Sequence, residues 1–470
     1  MSQRRMTHLL ILASALFLLP RLPVCAQAPA PPAPLDLKAL GVPMDQLPQA
    51  EALLGEELAK FQQAGGDLTL EELAPPPVPD AENAALVYLE AFDVLKPAPP
   101  EPPVAPPPPE QTGAGGPPPP AETGTARAPT DEELYVADNA AALALLDKAA
   151  AMPRCRWPQD WTLGPAMVFP HYAKLRTCAQ LRAAQMRVAV RAGHPDEVLR
   201  LCATSLALPR SLKDEPTLIA CLVSYALTAI SLDGLRNSLG LERLTVTGLS
   251  SPAVMNPALP TTPACRDLYS QLAAVDVAVP FRRAMLGELS MQLSFYQSVR
   301  DGLRERRGEW APDPGNADEK WAQLWATEQG RQVLALDEIA LIRSMTDGRA
   351  QLPWREQART PAPALPAYCK LSSATVPIFA RSPQKRDQAL ADLARAQIGL
   401  ALVAYHNETG QWPESLAQVR LTVKWDLPLD PSSGNDFVYR REGAGWVLYS
   451  IGPDLKDNGG TAQDLVWRRK

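Results

Sequence analysis

The chain has 470 residues, of which 50 are Pro and 27 are Gly, and 46% of all residues are apolar. Pro is about twice as frequent as its usual share of roughly 5%, but the apolar content excludes a collagen-like or wholly disordered chain. Without its first 26 residues the chain keeps 43 basic and 52 acidic residues, a balance of −9. This balance disfavours nucleic acid or an anionic lipid surface as a partner.

Residues 1–26 have the features of an export signal. Arg4 and Arg5 give a positive start, an apolar run extends from Leu9 to Leu19, and small residues flank Cys25 before a predicted cut after Ala26. The run is too short to span a bilayer, which needs about 20 residues. We therefore expect a mature protein in the periplasm or cell envelope, or outside the cell. A retained signal anchor and a lipoprotein processed at Cys25 are the alternatives.

No later segment has 18 uninterrupted apolar residues, so we expect no transmembrane span after signal removal.

The proline excess is concentrated near the N-terminus, where 24 of the 50 prolines lie in residues 27–130. Residues 27–48 are predicted to be a Pro/Ala-rich linker and residues 49–95 to contain short helices. Residues 96–129 are predicted to be a disordered spacer, because polyproline lacks N–H donors and cannot enter a helix or sheet interior. The alternative is a ligand for a Pro-binding groove.

Residues 130–350 are predicted to form a helical domain. A capping box at Thr130 to Glu133 starts the first helix, and apolar stripes at helical spacing follow over residues 175–188, 198–208 and 218–232. Two more long helices are expected from Cys265 to Arg306 and from Glu319 to Thr346. The turn that contains His194 resembles, weakly, the turn of a tetratricopeptide-type hairpin, so the predicted class is mainly α, as a helical-hairpin array.

Six cysteines remain after signal cleavage, and export allows them to pair. Cys202 and Cys221 are predicted on successive helices, about equally far from the centre of the loop that joins them. Antiparallel helices rise equally from a shared loop, so these two residues are the disulfide candidate. The alternative is a pair of buried free thiols.

Aromatic and basic residues are concentrated after the first helix of the helical domain. They could line a sugar, peptide or anion groove, or they could fill the core between helices. The residues concerned are Arg154, Arg156, Trp157, Trp161 and Tyr172.

No histidine pair at metal spacing, nucleophile elbow, P-loop or dinucleotide motif is present. We therefore assign no catalytic residue and no cofactor-binding motif.

Residues 351–384 are predicted to be a linker to an α+β module at residues 385–470. A helix from Arg386 to Thr409 ends at Gly410, which suits a left-handed C-cap. Two strands around the turn at Gly443 are expected to form an antiparallel hairpin. A Gly- and Asp-rich loop and a closing Asp-Leu-Val-Trp segment complete the module.

The order of motifs in the module resembles the globular head of type II secretion major pseudopilins. The matching elements are Gly-Gln-Trp-Pro at 410–413, Asp-Pro-Ser-Ser-Gly-Asn at 430–435, and Trp-Val-Leu-Tyr-Ser-Ile-Gly-Pro-Asp at 446–454. In that family the last loop binds calcium. The resemblance implies calcium ligands at Asp454 and Asp464, with Asp457 and Asn458 as further oxygen donors. One departure is that Gln463 stands where an acidic residue is often adjacent to Asp464.

The export signal and the helical region distinguish the chain from a pseudopilin, which carries its assembly helix directly before the head. The whole arrangement resembles exported proteins of planctomycete-type bacteria, to which no activity is assigned. We therefore expect a non-enzymatic envelope protein that binds a protein partner through its helices. The alternatives are an accessory of a pseudopilus-like secretion system and a hydrolase of envelope polymers.

Overall fold

The computed structural model of the protein describes residues 35–69, 71–99, 128–245, 248–250, 257–305, 317–360, 364–461 and 463–470. The described chain is mainly helical and carries an antiparallel sheet that includes C-terminal strands, which confirms the predicted mainly α class. The predicted export signal and residues 100–127 of the Pro-rich segment lie outside the described residues.

The helices follow one another along the whole described chain. Helices α1 (Ala50–Gln63), α2 (Ala84–Val94), α3 (Asp131–Asp138), α4 (Ala140–Ala150), α5 (Pro170–Arg191), α6 (Pro195–Ser205), α7 (Ala207–Arg210) and α8 (Leu218–Ser238) come first. Helices α9 (Thr262–Ala273), α10 (Ala278–Glu305), α11 (Ala317–Ala326), α12 (Glu328–Thr346), α13 (Trp354–Gln357), α14 (Ser372–Phe379), α15 (Ser382–Thr409) and α16 (Leu416–Val423) follow. Short 3₁₀ segments lie at Leu47–Gln49, Asp80–Glu82, Trp161–Ala166 and Arg349–Gln351.

The capping box predicted at Thr130 is present. The Thr130 side chain accepts a hydrogen bond from the Glu133 N–H, and the Glu133 carboxylate accepts one from the Thr130 N–H. The single helix expected after it is divided at Asn139, which ends α3. The buried Asn139 side chain donates to the Tyr135 carbonyl and accepts from the main-chain N–H of Lys96. A side chain that bonds the backbone in this way competes with continuous helix formation.

A five-stranded antiparallel sheet joins the two parts of the chain. Its strands are β1 (Glu242–Thr245), β2 (Gly248–Ser250), β3 (Val438–Glu442), β4 (Gly445–Ser450) and β5 (Leu465–Arg469), in the order β2-β1-β5-β4-β3. The predicted hairpin is the β3–β4 pair, with Gly443 at φ 60° in its turn. The β1–β2 hairpin was not predicted; it comes from the helical part and pairs with β5, where Glu242 lies opposite Arg468.

The helical part and the C-terminal residues share one hydrophobic core. Buried side chains of α6, α8 and α9 lie in the same cluster as those of α15, α16, β4 and β5. Helix α15 packs on both α8 and α9. The boundary that we expected between residues 130–350 and 385–470 is therefore not a boundary in the packing.

Both segments expected to be linkers contain ordered, buried residues where the structure describes them. Leu37, Val42 and Leu47 are buried in a second cluster with α10 and α12. The main-chain N–H of Tyr368 donates to the Leu40 carbonyl, so residues near 40 and near 368 are held together. The linker interpretation is based on Pro-rich composition alone. Composition does not indicate tertiary contacts such as these.

Helix α14 lies within the second expected linker and is fixed by a buried carboxylate. Asp337 of α12 is fully buried and accepts hydrogen bonds from the N–H groups of Leu371 and Ser372 at 2.7 and 3.1 Å, and from the Ser372 hydroxyl. Asp337 therefore caps the N-terminus of α14 from a different helix.

Helix α8 is long and apolar enough to cross a membrane by length and composition alone. In the structure it packs against α5, α6 and α15, and it carries Asp233 and the buried Arg236. The central helix of a soluble fold passes the same test, because it is also surrounded by apolar neighbours.

The Pro-rich segment begins and ends on the same hydrophobic cluster. Helix α2 before it and helix α4 after it pack together there. The Lys96 N–H donates to the Asn139 side chain at 2.8 Å, which fixes the point where the chain leaves the cluster. The segment is therefore an insertion into one packed unit and does not separate two units.

We predict that residues 100–127 can be replaced by eight Gly/Ser residues without loss of stability. Thr130 is about 14 Å from Asn139 along α3, and eight residues reach about 26 Å. The melting temperature, measured by circular dichroism, should change by no more than about 2 °C, because loop-closure entropy depends weakly on length. The control Asn139→Ala should lower it. A large loss of stability in the deletion variant would show that the insertion contributes to packing.

Candidate functional site

The aromatic residues proposed as a groove are buried in the core. Trp157, Trp161 and Tyr172 are only 3%, 4% and 7% exposed. The Trp157 ring stacks on Tyr88 and Phe92 at centroid distances of 5.8 and 5.9 Å. These three aromatic side chains therefore do not line an open groove; they fill the core, as the alternative interpretation expects.

Trp161 does not lie in the same cluster as Trp157. It packs in a separate small cluster with Leu73 and Met167. Sequence proximity suggested one surface, whereas the 3₁₀ segment that begins at Trp161 directs its side chain to a different part of the fold.

The two arginines beside these aromatics have structural partners. Arg154 forms an ion pair with Glu82 at 3.1 Å, and Arg156 donates from Nε to the Pro75 carbonyl at 2.9 Å. Asn83 completes the contact, because its side chain accepts from the Arg156 N–H and donates to the Arg156 carbonyl. These bonds hold residues 75–84 against the segment that follows α4.

A buried polar network lies next to Trp157. His171 and Glu215, which are 6% and 5% exposed, meet with Nε2 and Oε1 at 3.0 Å. The Tyr172 hydroxyl donates to the other carboxylate oxygen of Glu215. The His171 ring stacks on Trp157 at 4.4 Å. The network joins the start of α5 to the turn before α8.

The chemistry open to this network is limited by its burial. Burial, and then the charge of Glu215, raise the pKa of Tyr172 well above its ordinary value. The His171 ring is enclosed between Trp157 and Tyr172. A general acid or base must be within reach of the proton it transfers. The arrangement therefore suits a role in holding elements together, although it contains the His and carboxylate that a hydrolase would need.

The predicted disulfide between Cys202 and Cys221 is not formed, and both thiols are free and buried. Cys202 lies beside the Ser231 carbonyl of α8, and the hydroxyls of Ser205 and Ser231 are 2.7 Å apart. Ser231 is ten residues beyond Cys221, a rise of about 15 Å along the helix. The chain inserts α7 and a turn before α8, so α6 and α8 do not rise symmetrically from one loop. Burial raises the pKa of both thiols to about 12.

The loop between β4 and β5 brings together three of the four residues predicted to bind calcium. The side-chain nitrogen of Asn458 lies 3.0 Å from Asp454 Oδ2 and 3.5 Å from Asp464 Oδ1. It also lies 3.1 Å from the Lys456 main-chain oxygen. Three oxygens therefore surround one nitrogen that has only two hydrogens to donate.

Asp454 and Asp464 are two of the three carboxylates in this loop. Within the described residues, neither Asp454 nor Asp464 forms an ion pair. Asp464 is only 2% exposed, and its oxygens accept from the N–H groups of Asn458 and Gly460 at 3.3 and 2.7 Å. A positive charge between the two carboxylates would reduce their repulsion.

The fourth predicted ligand does not join the others. Asp457 accepts from the Tyr449 hydroxyl at 3.0 Å and from the Gly459 N–H at 2.8 Å. Burial, and then its bond to Asp457, raise the pKa of Tyr449. Asp457 therefore anchors the loop to the sheet. The sequence does not indicate this role. Tyr449 lies in strand β4, eight residues before Asp457, and no motif links the two residues.

The residues present fit a calcium ion in part. Asp454, Asp464, the Asn458 side-chain oxygen and the Lys456 carbonyl are oxygen donors of the kinds that calcium prefers. In the described part of the chain, no group of three or more His, Cys, Asp or Glu side chains is placed to hold a metal. The loop thus offers two carboxylates, and amide and main-chain oxygens must supply the other ligands.

Comparison of the chain with protein-family models, with curated proteins and with solved structures finds no match.

We predict that Glu215→Gln lowers the free energy of unfolding by about 2 kcal/mol, because it weakens the hydrogen bonds that join the buried Glu215 side chain to His171 and Tyr172. The adjacent Asp214→Asn is the control. Asp214 pairs with Arg283 at 3.5 Å on the surface, so it should cost under about 1 kcal/mol. Urea unfolding at neutral pH measures both. Equal small effects would contradict a structural role for the network.

Proposed function

We propose that the protein is a non-catalytic, exported envelope protein that binds a protein partner and carries a calcium-stabilised C-terminal head. The single observation that carries the calcium part is the convergence of Asp454 Oδ2, Lys456 O and Asp464 Oδ1 on the Asn458 amide nitrogen. The amide occupies the position that suits a small cation.

A turn of the Asn458 amide, which exchanges the places of its oxygen and nitrogen, would prepare the loop for an ion. The oxygen and nitrogen of an Asn side chain are assigned from the surrounding hydrogen bonds. With the amide turned, Asn458 presents its oxygen to the same two carboxylates. Asp454, Asn458, Asp464 and the Lys456 carbonyl would then hold the calcium ion, whose charge would offset that of the two carboxylates.

The non-catalytic part of the proposal is supported by how the polar residues of the helical part are used. His171, Glu215 and Asp337 are buried and hydrogen-bonded to neighbouring helices or turns. The export signal supports an envelope location. The shared core supports a single body that contains both the helices and the head.

We predict that calcium raises the melting temperature of the full chain. At a concentration 100 times its Kd, calcium should stabilise the fold by about 2.7 kcal/mol, if the ion binds the folded state alone. Asp454→Asn should reduce the shift, because it removes one of the two carboxylate charges, and its side chain is exposed enough for the variant to fold.

Asp457→Asn is the matched control, since Asp457 faces Tyr449 and not Asn458. Its calcium shift should equal that of the parent chain. Differential scanning calorimetry with and without chelator measures the shift in each variant. A parent chain with no shift at millimolar calcium, or equal shifts in all three, would reject the site.

We also predict that chemical crosslinking of the tagged full chain in envelope fractions yields a discrete crosslinked protein, identified by mass spectrometry. A pseudopilus component as the partner would favour the secretion-accessory role over a general scaffold. Recovery of the uncrosslinked chain alone, across several crosslinker lengths, would contradict a binding role.

A further inference from the structure

The segment that contains α13 crosses from the helical part to the head and contacts the calcium loop. Trp354 donates from its indole N–H to the Pro453 carbonyl at 2.9 Å, directly before Asp454. Its main-chain N–H donates to Asp387 of α15 at 2.6 Å. Neighbouring Arg355 donates to the Pro431 carbonyl at 3.0 Å. The segment thus reaches both loops at this end of the head.

Several contacts in the helical part hold the segment that carries Trp354. Asp387 pairs with Arg386 at 2.8 Å, and Arg386 donates to the carbonyls of Ala350 and Leu352 at 3.0 and 2.7 Å. The guanidinium also lies over the Phe281 ring of α10, at 5.1 Å. Several elements of the helical part therefore fix the position from which the indole reaches the loop.

The two sides of the calcium loop are held by different partners. Tyr449 and Arg440 bond the far side, at Asp457 and at the Gly459 carbonyl. On the near side, Trp354 bonds the carbonyl of the Pro453–Asp454 peptide. That peptide sets the direction in which the Asp454 side chain leaves the backbone. The Lys456 N–H donates a hydrogen bond to Asp454 Oδ1, with an N···O distance of 3.1 Å. The other oxygen, Oδ2, is therefore directed to Asn458.

We propose that Trp354 is a positioning residue for the calcium site, by which the helical part orients Asp454. This inference rests on the proposed function. Trp354 does not contact the ion; it supplies one hydrogen bond that keeps a ligand in place before the ion arrives. Pre-organised ligands bind more tightly, because less ordering remains to be done on binding.

The test uses the full chain and Trp354→Phe, which keeps an aromatic ring and removes the N–H donor. Trp425→Phe is the matched control, since the Trp425 indole N–H is buried without a hydrogen-bond partner in the described structure. Isothermal titration with calcium should show a Kd about fivefold higher in Trp354→Phe, as expected for one lost hydrogen bond. Trp425→Phe should leave the Kd unchanged.

Terbium, which replaces calcium at oxygen sites, gives a second readout. Emission from bound terbium excited through tryptophan should be lower in Trp354→Phe at saturation than in the parent chain, and Trp425→Phe should match the parent chain. A change in stability alone would not remove this emission. Calcium should also slow hydrogen exchange at residues 352–356 of the parent chain, a measurement that does not depend on any variant folding.

The outcomes separate the two proposals. A parent chain that binds calcium, with a Kd that Trp354→Phe leaves unchanged, overturns the role of Trp354 and leaves the site intact. Unchanged hydrogen exchange at residues 352–356 on calcium binding also overturns it. A parent chain that binds no calcium overturns the site itself and this inference with it.

Discussion

The fold depends on the burial of one helix on all sides. Every residue from 393 to 404 in α15 is buried, so this helix cannot lie on a surface. Helices α8 and α9 cover part of it, and Trp467 of β5 packs against Gly399, where a Cβ would lie 3.2 Å from the indole. The sheet must therefore close over α15. This requirement explains why the head and the helical part share a core.

Charged side chains near this core are placed where main-chain groups can satisfy them. Arg469 is buried at the end of β5 and donates to the Leu239 carbonyl at the C-terminus of α8, where the helix dipole favours a cation. Burial lowers the pKa of Arg469, and its guanidinium lies over Trp412. Arg386 similarly bonds the carbonyls that end the 3₁₀ segment Arg349–Gln351. The carbonyls at helix ends thus accept the hydrogen bonds that the buried arginines donate. These bonds join strand β5 and the helices, so each stabilises the other.

Short sequence patterns predicted the helix caps and the hairpin, which depend on adjacent residues. They did not predict the contacts between distant parts of the chain. The capping box at Thr130, the left-handed Gly410 and the β3–β4 hairpin were predicted correctly, because each depends on a few adjacent residues. The pairing of β1 with β5 joins residues more than 200 positions apart and has no local signature. The predicted Cys202–Cys221 disulfide is absent because the short helix α7, which was not predicted, lies between α6 and α8. Glu215 was not singled out, since nothing near it in sequence indicates His171 as its partner.

The two faces of the sheet are stabilised by different forces. This difference determines which part of the head a bound ion would stabilise. One face packs on α15 with large apolar side chains, which no ion can reach. The other carries a small cluster of Val447, Tyr449 and Val466, against which the loop lies through Gly460. That loop is held by hydrogen bonds worth about 1 kcal/mol each, and within the described residues its carboxylates Asp454 and Asp464 form no ion pair. Under the proposed function, calcium acts where apolar burial contributes least, so it would order the loop and its Trp354 contact while the core around α15 stays unchanged.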